Sequence, residues 1–283
     1  MKKLKMGGVP EHFNLPWHLA IENEDFKNAE LEVSWKDFPD GTGAMCKALR
    51  NNEIDVAVIL TEGIIKDIIA GNPAKIVQEY IGSPLIWGIH VASGSEFKKI
   101  EDLKNAKVAI SRYGSGSHLM AYVNAKRLGW NPAELEFEVV GDIDGAINAL
   151  KDGKAGYFMW EHFTTKPLVD NGTFRRLGDC PTPWSCFVIA VRKEVLQNNS
   201  QAVNNMLEVL NKTSKDFRNI PGIHKQLSKR YEQQEQDIAE WLKITRWSSE
   251  MISAEELQRV QEQLFELDLI PQKVNNSALI HQF

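Results

Sequence analysis

Two stretches of the chain repeat one local plan, and that plan narrows the possible folds more than anything else in the sequence. Ala48-Leu49-Arg50-Asn51-Asn52-Glu53-Ile54-Asp55-Val56-Ala57 and Ala149-Leu150-Lys151-Asp152-Gly153-Lys154-Ala155-Gly156-Tyr157-Phe158 each read as a helix end, a polar turn and a returning apolar strand. A strand that is apolar along its length is buried on both faces, and parallel strands joined through a helix cross over right-handedly. The expected class is therefore α/β, with two similar lobes built on mostly parallel sheets.

The flanking sequence extends this plan. Strands are expected over residues 31–35, 54–60, 76–81, 155–160 and 186–192, with others around Val108 and Phe137. Helices are expected over 16–23, 44–51, 64–70 and 143–151, and in a wholly helical tail over 194–214, 222–232, 236–244 and 253–267. Pro16 suits a first helical turn, and Ser253 with Glu256 has the spacing of a capping box. Chain crossings are expected at Gly82-Ser83-Pro84 through Trp87 to His90, and at the proline-rich passage Gly178-Asp179-Cys180-Pro181-Thr182-Pro183-Trp184-Ser185. These crossings divide the chain into one lobe of residues 1–90 with 185–283 and a second of 91–184.

Lys107-Val108-Ala109-Ile110-Ser111-Arg112-Tyr113-Gly114-Ser115-Gly116-Ser117-His118 is an apolar strand that breaks into a glycine and serine turn. Leu119, Met120, Tyr122, Val123, Ala125 and Leu128 follow at helical spacing, so the turn opens onto a helix N-terminus. Unpaired N–H groups and the helix dipole make such a turn receptive to a carboxylate, phosphate or sulfonate, and the Ser115 and Ser117 hydroxyls add donors. The same residues also serve as ordinary cap chemistry. Leu119 stands where a dinucleotide fingerprint would need its third glycine, and no Gly-Lys-Ser/Thr follows, so neither nucleotide motif is present.

Charge and composition exclude several classes of partner. The net charge of −5 leaves no basic stripe to neutralise phosphates, which argues against nucleic acid and against membrane surfaces. No apolar run is long enough to span a bilayer. The start Met1-Lys2-Lys3-Leu4-Lys5-Met6 has the charge of a secretory signal, but Gly7, Gly8 and Pro10 stand where its apolar core is needed, so a cytoplasmic location is expected, or an extracytoplasmic one if a signal has been removed. The 3 cysteines, Cys46, Cys180 and Cys186, show no C-x-x-C spacing; that suits a reducing compartment and offers no metal site. No cofactor is evident.

The sequence resembles the type II periplasmic-binding-protein fold, in the branch that holds thiamine-pyrimidine-precursor proteins and sulfonate- and nitrate-type solute binders. The resemblance covers nearly the whole chain and rests on the order of several short motifs. They are Gly7-Gly8-Val9-Pro10 with His12 and Pro16, Asp40-Gly41-Thr42-Gly43, Asp55-Val56-Ala57, the 111–118 turn and Met159-Trp160-Glu161. It implies a ligand cleft between the lobes, with contacts from His12, Phe13, Gly41, Thr42, Gly43, Glu62 and Ser83 on one side. Ser115, Gly116, Ser117 and His118 would face them, with Trp160, Glu161 and Trp184 as walls. Core packing is the competing role for each tryptophan.

The chain departs from that branch in lacking a clear export signal and the cysteine-rich, histidine-bearing cluster of fungal thiamine-pyrimidine synthases. Lys36, Lys66 and Lys166 stand in no context that singles out a Schiff-base lysine. The expected function is a binding protein for a small anionic or heteroaromatic metabolite, which the resemblance links to thiamine-precursor metabolism, and the balance leans away from catalysis. The alternatives are a synthase-like biosynthetic enzyme and the substrate-binding component of an ABC transporter.

Overall fold

The computed structural model describes residues 1–283. The chain divides into two compact units, residues 1–83 with 184–283, and residues 84–183.

The first unit opens on β1 (Lys2–Gly8), α1 (Leu15–Glu22), the short α2 (Asp25–Asn28) and β2 (Leu31–Asp37). α3 (Thr42–Arg50), β3 (Val56–Leu60) and α4 (Thr61–Ile69) follow, then the long strand β4 (Ala74–Ala92). β1 lies between β2 and β3 and is parallel to both, with Leu4 beside Val33 and Met6 beside Val56. The lysine-rich start is thus a strand, a role its resemblance to a signal start had hidden. Lys3 and Lys5 face solvent while Leu4 and Met6 are fully buried, the two-residue alternation of a half-covered strand. Gly7 and Gly8 allow close packing: a Cβ on Gly8 would come within 2.5 Å of the Trp35 ring, and one on Gly7 within 2.7 Å of Phe38.

The second unit carries β5 (Val108–Ile110), α5 (Gly116–Arg127), β6 (Phe137–Val139), α6 (Ile143–Lys151), β7 (Tyr157–Glu161) and α7 (Lys166–Asp170). β5 is parallel to β6 and β7, and β7 runs antiparallel to β4, with Met159 opposite Ile89. Ala109, Ala146, Ala149, Leu150, Ala155, Phe158 and Phe174 form a buried core under α6.

The chain returns through β8 (Phe174–Arg192), antiparallel to β3, into α8 (Lys193–Lys215), α9 (Ile223–Tyr231), α10 (Glu235–Ile244) and α11 (Ala254–Glu266). The two crossings were expected as loops with short strands beside them, yet β4 and β8 run through both as continuous strands. The hydrogen-bonded order is accordingly one of eight strands, β2-β1-β3-β8-β4-β7-β5-β6. Pro181 and Pro183 sit inside β8, where exposed positions tolerate a residue that cannot donate to the ladder.

In α11, Leu257, Val260 and Leu264 bury one stripe, worth about 1.5–3 kcal/mol for each side chain that is fully covered. Ser253 caps this helix by accepting the Glu256 N–H at 3.1 Å. Only half of the expected capping box forms, because the Glu256 carboxylate accepts the Ser185 N–H instead. No helix is long and apolar enough to cross a membrane.

Candidate ligand-binding residues

In each unit the candidate residues collect at the carboxyl end of the parallel strands, the end where open α/β sheets hold ligands. His12 and Phe13 follow β1, Gly41, Thr42 and Gly43 follow β2, and Thr61 and Glu62 continue directly from β3. Trp184 reaches the same end of the first unit, since Phe187 of β8 lies opposite Leu60. In the second unit Ser115, Gly116, Ser117 and His118 follow β5, while Trp160 and Glu161 end β7.

The α5 turn is the most fully built of these groups. Ser115 is the N-cap, its Oγ accepting the His118 N–H at 3.3 Å, and Ser117 Oγ accepts the Ser111 N–H at 3.0 Å. Ser117 Oγ also lies 3.3 Å from Ser111 Oγ and 3.1 Å from Ser115 Oγ. Three hydroxyls joined by two contacts hold three hydrogens and use two, so the trio keeps one donor to offer. The Gly116 and Ser117 N–H groups find no acceptor within the chain, as expected for the first positions of a helix. His118 Nδ1 accepts the Gly114 N–H at 3.1 Å, which puts the proton of the neutral ring on Nε2. Its ring meets Phe137, Tyr122 and Tyr113 at 4.8, 4.9 and 5.3 Å, and Tyr113 is 65% exposed on the rim of the turn. Ser111 is the member that residue-by-residue reasoning overlooked; it belongs to the trio because the turn folds back over six residues.

In the first unit, Thr61-Glu62-Gly63 forms the opening turn of α4, whereas the sequence suggested a strand end with the helix starting later. Glu62 is buried and accepts a hydrogen bond from Trp184 Nε1 at 2.9 Å. Burial pushes its carboxyl up to about 7, against the lowering effect of that hydrogen bond and of its own backbone N–H. α3 and α4 begin side by side: a Cβ on Gly63 would lie 2.3 Å from Thr42 Cγ2. Gly41, at φ 71°, is the N-cap of α3 and has no side chain to satisfy the first N–H groups. The α3 and α4 N-termini both lack a side-chain cap.

The remaining candidates sit in packed surroundings. His12 is 1% exposed and packs on Trp241, Phe13 and Tyr231 at ring distances of 4.1, 4.9 and 6.1 Å. Burial depresses its imidazole to about 3, so it is neutral. Phe13 packs on Trp241 and Phe187, and its carbonyl accepts the Tyr80 hydroxyl at 2.8 Å. Trp184 is 2% exposed, and Trp160 stacks on Phe158 at 5.4 Å against the second unit's core. Glu161 is raised by burial, although its carboxylate accepts the Thr164 N–H at 2.6 Å and the Thr164 hydroxyl at 2.7 Å. Ser83 Oγ accepts the Arg246 N–H at 3.1 Å.

Covalent chemistry finds little preparation here. Cys46, Cys180 and Cys186 are buried free thiols, and burial raises the first two, the second to about 11. Lys166 pairs with Asp170 at 2.5 Å, and Lys36 lies over the Phe38 ring and 3.6 Å from Glu53.

The architecture has close counterparts among solved structures. The Candida albicans CA3427 gene product, whose structure is described as defining a new family with the generic periplasmic-binding-protein fold, superposes with a TM-score of 0.89. That match has 24% identity over 99% of this chain and 96% of the other. The chain has the periplasmic-binding-protein fold. A family profile described as Ca3427-like PBP matches residues 87–180. The alkanesulfonate-binding protein SsuA from Xanthomonas axonopodis pv. citri, bound to MOPS, aligns with a TM-score of 0.83 and 16% identity over 100% and 99% of the two chains. The periplasmic nitrate-binding protein NrtA from Synechocystis aligns with a TM-score of 0.71 and 16% identity over 98% and 84%. No curated protein sequence matches the chain.

Proposed function

We propose that this chain is a non-catalytic binding protein for a small organic anion, whose acidic head is taken by the first turn of α5. The observation that carries the reading is the α5 turn itself. Two N–H groups without acceptors and one spare hydroxyl hydrogen converge on a helix N-terminus, where the dipole also favours negative charge. The first unit supports the same chemistry, because α3 and α4 start together without side-chain N-caps, beside a carboxyl that burial raises to about 7 and so leaves partly protonated at neutrality. The ligands of other proteins with this fold agree in charge: one holds MOPS, a sulfonate, another holds methylphosphonate, and a third is a nitrate-binding protein.

The finer identity of the ligand rests on the resemblance to thiamine-pyrimidine-precursor proteins, which gives a heteroaromatic body to the same anion. Service as the binding component of a transporter is the alternative setting. An extracytoplasmic setting is favoured by the periplasmic proteins that share this fold, and a cytoplasmic one is the alternative. Native mass spectrometry of protein from its own host, followed by calorimetric titration with short sulfonates, phosphonates and phosphorylated aminopyrimidines, tests the reading. A retained anion whose affinity falls with Ser115→Ala supports it. A retained cation or neutral sugar, or an anion indifferent to every change in the α5 turn, refutes it.

A further inference from the structure

The second unit holds a hollow of about 860 Å³ at the end of its sheet opposite the α5 turn. Its lining comes from the residues that precede β5 and β7, the C-terminal turn of α6 and the start of β8, whereas Ser111 to His118 follow β5 at the other end. The volume lies within the range of about 300–1,000 Å³ usual for small-molecule sites.

The floor is apolar and firm. Leu150, Ala155 and Phe174 belong to the buried core beneath it, and Ile147 and Ala92 pack against that core. The Phe97 ring forms part of the wall, close enough that a Cβ on Gly156 would come within 3.2 Å of it. Arg175 fixes that wall by donating to the Ser95 and Phe97 carbonyls at 2.9 and 2.7 Å. Gly94, Gly153 and Gly172 turn bare backbone to open space, since an added Cβ on any of them meets nothing.

The charge on the lining is of one sign. Lys107, Lys151 and Lys154 line the hollow and no aspartate or glutamate does, in a chain whose net charge is −5. Lys154 pairs with Asp152 at 3.3 Å, but Lys107 and Lys151 make no ion pair. The end of α6 would ordinarily present carbonyls that repel an anion. Two of these are occupied, Ala149 accepting the Lys154 N–H at 2.9 Å and Leu150 the Gly153 N–H at 3.3 Å.

We infer that this hollow is a second ligand site, for a free amphipathic organic anion whose apolar body lies on the Phe97 and Phe174 side with its acid toward the lysines. It is independent of the α5 turn and of the ligand proposed there.

Calorimetric titration with decanoate below its micelle concentration tests the assignment. One decanoate should bind per chain, and decan-1-ol, which has the same tail and no charge, should bind at least tenfold more weakly. Joint Lys107→Glu, Lys151→Glu and Lys154→Glu substitution should weaken decanoate at least tenfold. Gly94→Trp, at a lining position where an added Cβ meets nothing, should do the same by crowding the mouth of the hollow, so it decides the matter if the triple variant does not fold. Ser115→Ala should leave decanoate affinity unchanged, which keeps this outcome separate from the fate of the α5 reading. No binding at millimolar decanoate, equal affinity for the alcohol, unchanged affinity in a folded variant, or capture only by phosphatidylglycerol vesicles would each overturn it.

Discussion

Glu62 offers the sharpest quantitative test, because a buried carboxyl ties the stability of the first unit to pH. Its ordinary value of 4.5 is raised to about 7 by burial, with Trp184 Nε1 as its hydrogen-bond partner. A raised carboxyl binds its proton more tightly in the folded chain than in the unfolded one. Its contribution is therefore whole below pH 4.5 and is lost as pH climbs through 7. A tenfold change in proton affinity is worth about 1.4 kcal/mol, so the full loss is about 3 kcal/mol, most of it falling between pH 5 and pH 8. Glu62→Gln keeps the side chain's shape and an acceptor for Trp184 but removes the titration. Urea unfolding of both proteins should give a stability difference that shifts by about 2–3 kcal/mol in favour of the glutamine variant between those two pH values. Titrating groups common to both proteins cancel in that comparison. Parallel profiles would mean that the carboxyl is ionised and hydrated at neutrality, and the argument from burial would fail.

Four further outcomes are expected. Ser115→Ala should weaken the retained anion by about tenfold and also cost about 1 kcal/mol of stability, since the hydroxyl caps α5; calorimetry and thermal melting read the two effects separately. His12→Phe should soften acid unfolding: the wild-type imidazole is lowered from 6.5 to about 3, so the folded chain resists a proton that the unfolded chain accepts. The resulting loss grows as pH falls below 6.5 and reaches roughly 3 kcal/mol by pH 4, which equilibrium unfolding at pH 7 and pH 4 will show. Arg192→Ala should cost about 3–5 kcal/mol, because Asp55 would lose the guanidinium 2.9 Å away while remaining largely buried; the unfolding midpoint in urea reports it. Gly8→Val should prevent Trp35 from packing on β1 and lower the melting temperature more than the same change at exposed Gly94.

The α/β class and most helices were legible because their signals are local and redundant. Residues 56–60 are apolar throughout, and β3 forms there; the helical tail repeats its apolar residues every three or four positions, and α8 to α11 follow it. Misreadings arose where two local rules competed. Lysines at positions 2, 3 and 5 dominate the composition of the N-terminus, yet only alternate side chains of a strand need be apolar, and Leu4 with Met6 is enough. Prolines in 181–183 predict a loop, but the backbone remains extended there, a conformation that the fixed φ of proline allows. Thr61-Glu62-Gly63 carries a glycine that suggests a break. Its true constraint is the missing Cβ that lets α3 and α4 start against each other, a contact between Thr42 and Gly63 that lies too far along the chain for periodicity to register.

The candidate residues divide along the same physical line. Glycines and serines advertise backbone geometry, so the α5 turn could be found from letters alone, including the helix that follows it. The hydroxyl count could not be found that way. Counting Ser115 and Ser117 gives two donors, but Ser111 enters through a fold of the chain and leaves the trio with one spare hydrogen. Aromatic residues are less informative still, because a tryptophan satisfies the same apolar pattern whether it lines a ligand or fills a core. Trp184 shows the limit: its ring is buried, yet its N–H holds the one carboxyl at the head of α4 whose proton affinity is shifted to near neutrality. Packing and the proton affinity of Glu62 are coupled through that single hydrogen bond. Trp184→Phe should therefore raise the Glu62 carboxyl further by removing a donor to its charged form, and the midpoint of the wild-type pH profile should move upward. A midpoint that stays in place would assign the shift to desolvation alone and leave Trp184 as a packing residue.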